Sequence, residues 1–271
     1  DLSGKDLTGT TLTGVDLSGM DLSGTMLTGV DMSDAILTDV DLSGKDLTGT
    51  ILTGANLSGV DLSGTILTGV DLSGVDLSGM DFSGMDLSET MLTGSNLSDA
   101  ILTGVDLSGM DLTRTNLTGV DLSGMDLSGT TLTGVDLSGM DLTGTILIGA
   151  NLSDAILTGV DLSGMDLTGT ILIDANLENV VLINTILNCV GHPLCDHLGL
   201  SGVDLSGKNF SNAYLVGIDM SGMDLTGTIL TGANLSDAIL TGVDMSGMDL
   251  TGTILIGANL SGVDLSGTIL T

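Results

Sequence analysis

Leucine stands at every fifth position from Leu2 to Leu187, replaced only by Met32 and Phe82. After a break the series resumes at Leu200, Leu205, Phe210, Leu215, Met220 and every fifth residue to Leu270. A period of five fits neither the roughly 3.6 residues of a helical turn nor the roughly 2 of a strand, so each unit has to be a very short strand followed by a corner. Gly or Asp/Asn ends nearly every unit, where it supplies a corner residue that tolerates positive φ. Glu89 and Arg114 depart from that rule.

Runs such as Asp1-Leu2-Ser3-Gly4, Asp6-Leu7-Thr8-Gly9 and Asp16-Leu17-Ser18-Gly19 resemble the pentapeptide-repeat family, whose tandem motif is small or apolar, then Asp or Asn, then Leu, then two variable residues. The likeness extends over nearly the whole chain. It implies an all-β fold, a right-handed quadrilateral β-helix in which four pentapeptides make one square coil of twenty residues. Leu and the residue two before it, the inward slot, would point inside; the residue just before Leu, the outward slot, would face solvent. Residues 1–271 then form a single solenoid of about 13 to 14 coils with no capping helix, interrupted by an irregular insertion at 188–197. Stacked at the usual strand spacing of about 4.8 Å, the coils would make a rod about 65 Å long.

Composition agrees with a core that is a narrow Leu column. Aromatics are 1% of the chain and Trp is absent, yet hydrophobic residues reach 42%, too many for a disordered acidic tail. The 35 acids face 4 bases, for a net charge of -31. That balance opposes direct nucleic-acid binding and attraction to an anionic membrane, which depend on Lys and Arg. No apolar run reaches membrane-spanning length, which argues against membrane insertion.

Folding the sequence at twenty residues assigns outward slots to faces. On the first face Asp21, Asp41, Asp61, Asp81, Asp121, Asp141 and Asp161 form an aspartate ladder. If the break carries three extra residues, the ladder continues as Asp204, Asp224, Asp244 and Asp264. Like charges about 4.8 Å apart repel by roughly 0.9 kcal/mol even at the permittivity of water, so the ladder should attract cations or raise some carboxyl pKa values. The alternative is that these aspartates are solvated family residues bonded to local backbone. On the third face Ile51, Met91, Ile171, Tyr214 and Ile254 recur every two coils and mark a candidate lateral interface. On the second face Met26, Ile66, Ile146, Ile186, Ile229 and Ile269 do the same. Repeated duplication of segments is the competing origin of both columns.

Where the outward residue is apolar, the inward one is nearly always Thr or Ala, as in Thr50-Ile51; where it is Asp, the inward one is usually Val or Met, as in Met20-Asp21. Lys5, Lys45 and Lys208 also occupy inward slots, all on the second face in this register. A buried ammonium is costly, so distortion or snorkelling is expected there.

The insertion holds every Cys and His of the chain and its one Pro. Cys189, His192, Cys195 and His197 make a two-Cys, two-His set for Zn²⁺ or another divalent metal, with a spacing that matches no standard finger. A disulfide between Cys189 and Cys195, or an inert bulge with free thiols, are the other readings. Catalysis is disfavoured, because a packed column offers no concavity for a nucleophile, base and orienting group, and no cofactor is implied beyond that metal.

Two functions remain. The first is a non-enzymatic structural solenoid. Its bare coil ends would pair head to tail with further copies of itself into a filament, outside the cell or in the periplasm. The second follows from the resemblance: some members of the family look like DNA in size and charge and bind a type II topoisomerase such as DNA gyrase, in the cytoplasm. The flat Ser/Thr arrays after Leu raise ice or mineral binding as a weaker third, against which the mixture of Ser with Thr argues.

Overall fold

The computed structural model describes residues 1–187 and 205–270. The chain divides into two compact units, Asp1–Asp121 and Leu122–Thr271. Both are built from single-residue parallel β-bridges, and the described residues contain no helix.

In the first unit the bridges Asp6↔Met26, Thr11↔Asp31, Asp16↔Ile36 and Asp41↔Asp61 each join residues twenty apart and fall on four successive outward slots. Four pentapeptides therefore close one coil, and four columns of bridges run along the unit. The pentapeptide around Asp71 shows why the coil needs no wide sheet. The Val70 amide donates to Leu67 O at 3.0 Å, Asp71 to Thr50 O in the preceding coil at 3.0 Å, and Leu72 to Met91 O in the following coil at 2.9 Å. The Ser73 amide donates to the Asp71 carboxylate at 3.0 Å, and Gly74 to Thr93 O at 3.0 Å. All five main-chain donors are satisfied, two within the same coil and three between coils. The Leu67–Val70 bond closes a β-turn whose third residue, Gly69, has φ of 67°. Glu89 and Arg114 adopt the same left-handed corner, with φ of 61° and 56°, at a cost of about 1–2 kcal/mol for a side chain that glycine would lack. Gly59 is held to glycine by φ of 71°; the Asp39 carboxylate lies where a Cβ would stand and would have to turn aside for one.

Away from the first and last coils the Leu column is buried: Leu37, Leu72 and Leu107 have no exposed surface, and Met32, Phe82 and Phe210 fill the same slot. The inward slot beside it behaves differently according to side-chain size. Thr50, Thr170 and Thr185 are buried, and each hydroxyl donates to a Leu carbonyl one coil back, Thr50 to Leu27 O at 3.0 Å, Thr170 to Leu147 O at 2.8 Å and Thr185 to Leu162 O at 3.0 Å. Met80, Met85, Met110 and Met165, which are unbranched and longer, stay half-buried in that slot.

Behind an inward Thr or Ala the outward residue bridges to the preceding coil, as at Met26, Ile36, Ile51, Ile156 and Ile254. Behind Met85 and Met140 the outward residues Asp86 and Asp141 form no bridge, whereas Asp111 behind Met110 is a bridge residue. Behind Val the bridge to the preceding coil forms at Asp31 and Asp71 and is missing at Asp106, so the size of the inward side chain does not by itself decide the pairing.

The second unit repeats this construction, with bridges Asp126↔Ile146, Thr131↔Asn151, Asp136↔Ile156 and Asp161↔Val181. It corrects the register across the break. Ile186 pairs with Tyr214, and the Asn184 amide donates to Ser211 O at 3.1 Å. The separation from Ile186 to Tyr214 is eight residues longer than a coil, where three extra residues were expected. One whole further pentapeptide is thus passed over, and every face assigned beyond the break shifts by one. Cys189, His192, Cys195, His197 and Asp204 lie outside the described residues.

Candidate functional site

The outward slots are the chemistry-bearing surface. In the first unit Asp21, Asp41, Asp61 and Asp81 share one column, which ends on Ile101 through the Asp81↔Ile101 bridge; Asp121 is the last residue of that unit. In the second unit Asp141 and Asp161 precede Val181. The corrected register places Val181 opposite Asn209, so this column runs on to Asn209 and Ile229 and away from Asp224, Asp244 and Asp264. Asp244 and Asp264 bridge to each other in a different column.

Each aspartate is tied down locally. Asp41 accepts the Ser43 amide at 2.9 Å and the Ser43 hydroxyl at 2.6 Å. The Ser43 hydroxyl, then its amide, hold the Asp41 carboxyl below the usual range, and Lys45 adds a favourable charge. Asp21 is lowered by the amide and hydroxyl of Ser23, with smaller help from the terminal ammonium and Lys45. Asp81, Asp141 and Asp161 are lowered in the same way by the hydroxyl and amide of Ser83, Thr143 and Ser163. The rise expected from like-charge stacking is overturned at these five residues, because two short hydrogen bonds to the charged form outweigh screened repulsion through water. A neighbouring aspartate does act at Asp86, where Asp106 raises the pKa slightly against a larger lowering by Ser88. No group of three or more metal-ligating side chains is found among the described residues.

None of the three lysines is buried: Lys5 is exposed and Lys45 and Lys208 are half-buried. Lys208 precedes Asn209 and therefore belongs to the column of Asp161 and Val181, not to that of an Asp166 or Ile186, so the three lysines do not share the second face.

The apolar column is also redistributed. Ile51 and Met91 alternate with Asp31 and Asp71 in one column of the first unit and are exposed at 40% and 48%. In the second unit Ile171 follows Thr131 and Asn151, whereas Tyr214 and Ile254 lie in the column of Ile186. The five residues expected on one face are therefore split, and the shift brings Ile186 and Tyr214 together on adjacent coils, with Tyr214 and Ile254 exposed at 42% and 41%. That pairing is not visible in the sequence, because the length of the break decides it. On another column an amide ladder is formed: Asn96 Nδ2 donates to Asp76 at 2.9 Å and Asn116 Nδ2 to Asn96 Oδ1 at 2.9 Å.

The pentapeptide-repeat profile matches in eight copies, at residues 6–44, 31–69, 71–109, 111–147, 136–172, 145–184, 200–232 and 233–271. The chain belongs to the pentapeptide-repeat family, whose members fold as right-handed quadrilateral β-helices and are generally structural or binding proteins, not enzymes. Among solved structures it is similar to HetL, a pentapeptide repeat protein involved in heterocyst differentiation regulation from the cyanobacterium Nostoc sp. strain PCC 7120. The two are 26% identical over 100% of this chain and 91% of that one, with a TM-score of 0.26. It is also similar to full-length QnrB1, a plasmid-mediated fluoroquinolone resistance protein, at 18% identity over 98% of this chain and 94% of that one, with a TM-score of 0.22. Rfr23, a pentapeptide repeat protein from the cyanobacterium Cyanothece 51142, is 26% identical over 55% of this chain and 90% of its own, with a TM-score of 0.17. No curated protein matches significantly. No helix among the described residues is long and apolar enough to cross a membrane.

Proposed function

We propose that the protein is a non-enzymatic structural β-solenoid whose copies assemble end to end into a filament or scaffold. The observation that carries this reading is the self-complementary coil: each pentapeptide, as at Asp71, donates to the coil before it and to the coil after it in the same parallel register. A contact between copies would reuse that pairing unchanged, and an unpaired coil edge templates further strands. The exposed apolar outward residues, Ile51 and Met91 in one unit and Tyr214 and Ile254 in the other, supply lateral contacts between such filaments. Electron micrographs of the purified protein are the test. Filaments that lengthen with concentration are expected, and single particles at high concentration would overturn the reading.

A second reading is favoured by the charge of -31: an acidic rod that takes the place of DNA on a type II topoisomerase. A gyrase supercoiling assay decides it, since such a rod inhibits or protects the enzyme and a structural solenoid leaves supercoiling unchanged. For Cys189, His192, Cys195 and His197, the proposal is a Zn²⁺ site or a Cys189–Cys195 disulfide. Metal analysis, and intact mass with and without reductant, separate the two.

A further inference from the structure

The fourteen methionines of the chain fall into three slots, and the division is geometric. Met32, Met220 and Met245 stand in the Leu column with no exposed surface. Met26 and Met91 occupy outward slots at 51% and 48% exposure. The other nine sit in the inward slot and are half-buried. Surface grooves open at the same slots. One, in the first unit, is lined by Met85 and Met110 together with Asp86, Glu89 and Asp106; another, in the second unit, by Met140 and Met165 with Asp141 and Asp161.

We propose that the inward-slot and outward-slot methionines are a modification site for neutral peroxides, hydrogen peroxide in the simplest case. The thioether sulfur attacks one peroxide oxygen; an S–O bond forms as the O–O bond breaks, methionine loses two electrons to become the sulfoxide, and the peroxide is reduced to water. The carboxylates lining each groove repel anionic oxidants and leave a neutral peroxide as the substrate that enters. Accumulated oxidation does not open the fold. Met85 and Met140 head outward residues, Asp86 and Asp141, that bridge to neither neighbouring coil, so a polar sulfoxide oxygen there displaces no bridge at that residue. In the Leu column the same oxygen would be buried without a partner. The solenoid thus carries many thioethers that consume peroxide and few whose oxidation harms it, a property set by the inward slot and separate from assembly.

The full-length protein is exposed to dilute hydrogen peroxide, and oxidation is read at peptide resolution by mass spectrometry, with circular dichroism recorded on the same samples. Met85, Met110, Met140 and Met165 are expected to gain one oxygen each at least about tenfold faster than Met32, Met220 and Met245, whose oxidation has to wait for opening of the coil, and the β signal should persist. Equal rates in the two groups would overturn the proposal, and so would loss of the β signal before the inward-slot residues are fully oxidised. The M32L variant, which keeps the column filled, should leave the oxidation rate of Met85 unchanged; a fall in that rate would show that the grooves are not the route of entry.

Discussion

Thr50 shows what a single inward residue does for this fold. Its hydroxyl is fully buried and its one partner is Leu27 O, a carbonyl of the preceding coil, at 3.0 Å. Val is accepted sterically at this slot, because Val30 and Val70 already occupy it without exposure. The substitution Thr50→Val therefore isolates the hydrogen bond, and it should cost about 1 kcal/mol, the net worth of a neutral buried bond whose acceptor is left without that donor. Thr10 is the matching control: its hydroxyl bonds to Leu7 O at 2.7 Å within its own pentapeptide and is exposed. Thr10→Val should change stability by less than about 0.5 kcal/mol. Urea denaturation of both variants measures the contrast, and equal losses would mean that the hydroxyl does not stitch coils together.

At the scale of the pentapeptide and the coil, pairing varies from slot to slot, and the sequence carries two competing explanations for it. Asp86 makes no bridge to the preceding coil, and either the bulk of Met85 or the aspartate itself is responsible. Met85→Thr removes the bulk and places a hydroxyl in line with Leu62 O, as Thr90 and Thr115 already bond to Leu67 O and Leu92 O at 2.9 and 3.0 Å. The expected gain is about 1 kcal/mol, from two new hydrogen bonds less the lost thioether burial. Asp86→Asn leaves the bulk in place and should gain nothing; a gain in that variant alone would assign pairing to the charge. The coil itself was legible from the Leu spacing, and so were the corner residues, because a period of five leaves no other element. The register past residue 187 was not. Leu spacing fixes position only modulo five, so a break with three extra residues and one with eight leave the same Leu pattern and differ by a whole face. Only the pairing of Ile186 with Tyr214 distinguishes them. For the carboxylates, the reading of aspartates bonded to local backbone is the one found, as with the Ser43 amide on Asp41; the charge ladder is visible in the sequence, whereas the turn geometry that aims the Ser and Thr donors is not.

For the whole molecule two electrostatic effects of opposite sign meet. The net charge of -31 destabilises the folded chain through self-repulsion, and acidification relieves it. The local hydrogen bonds act the other way. Asp6, Asp16, Asp41, Asp81, Asp141 and Asp249, among others, have folded pKa values below the ordinary 3.8. A depressed carboxyl contributes stability that is complete above its unfolded pKa and is lost as pH falls through its folded one. Salt separates the two, because these bonds are made at contact distance whereas repulsion across the surface is screened within about 3 Å at about 1 M salt. In about 1 M salt, thermal stability should be flat from neutral pH down to the ordinary carboxyl value and then fall steadily as each Ser and Thr loses its charged acceptor. At low salt the neutral-pH stability should be lower, and the same acid step should be partly cancelled by relief of repulsion, so the two curves converge on acidification. Melting temperatures across pH at both salt concentrations test this. A rise in stability on acidification in high salt would mean that repulsion between aspartates, and not their bonding to the turn, governs the charged surface.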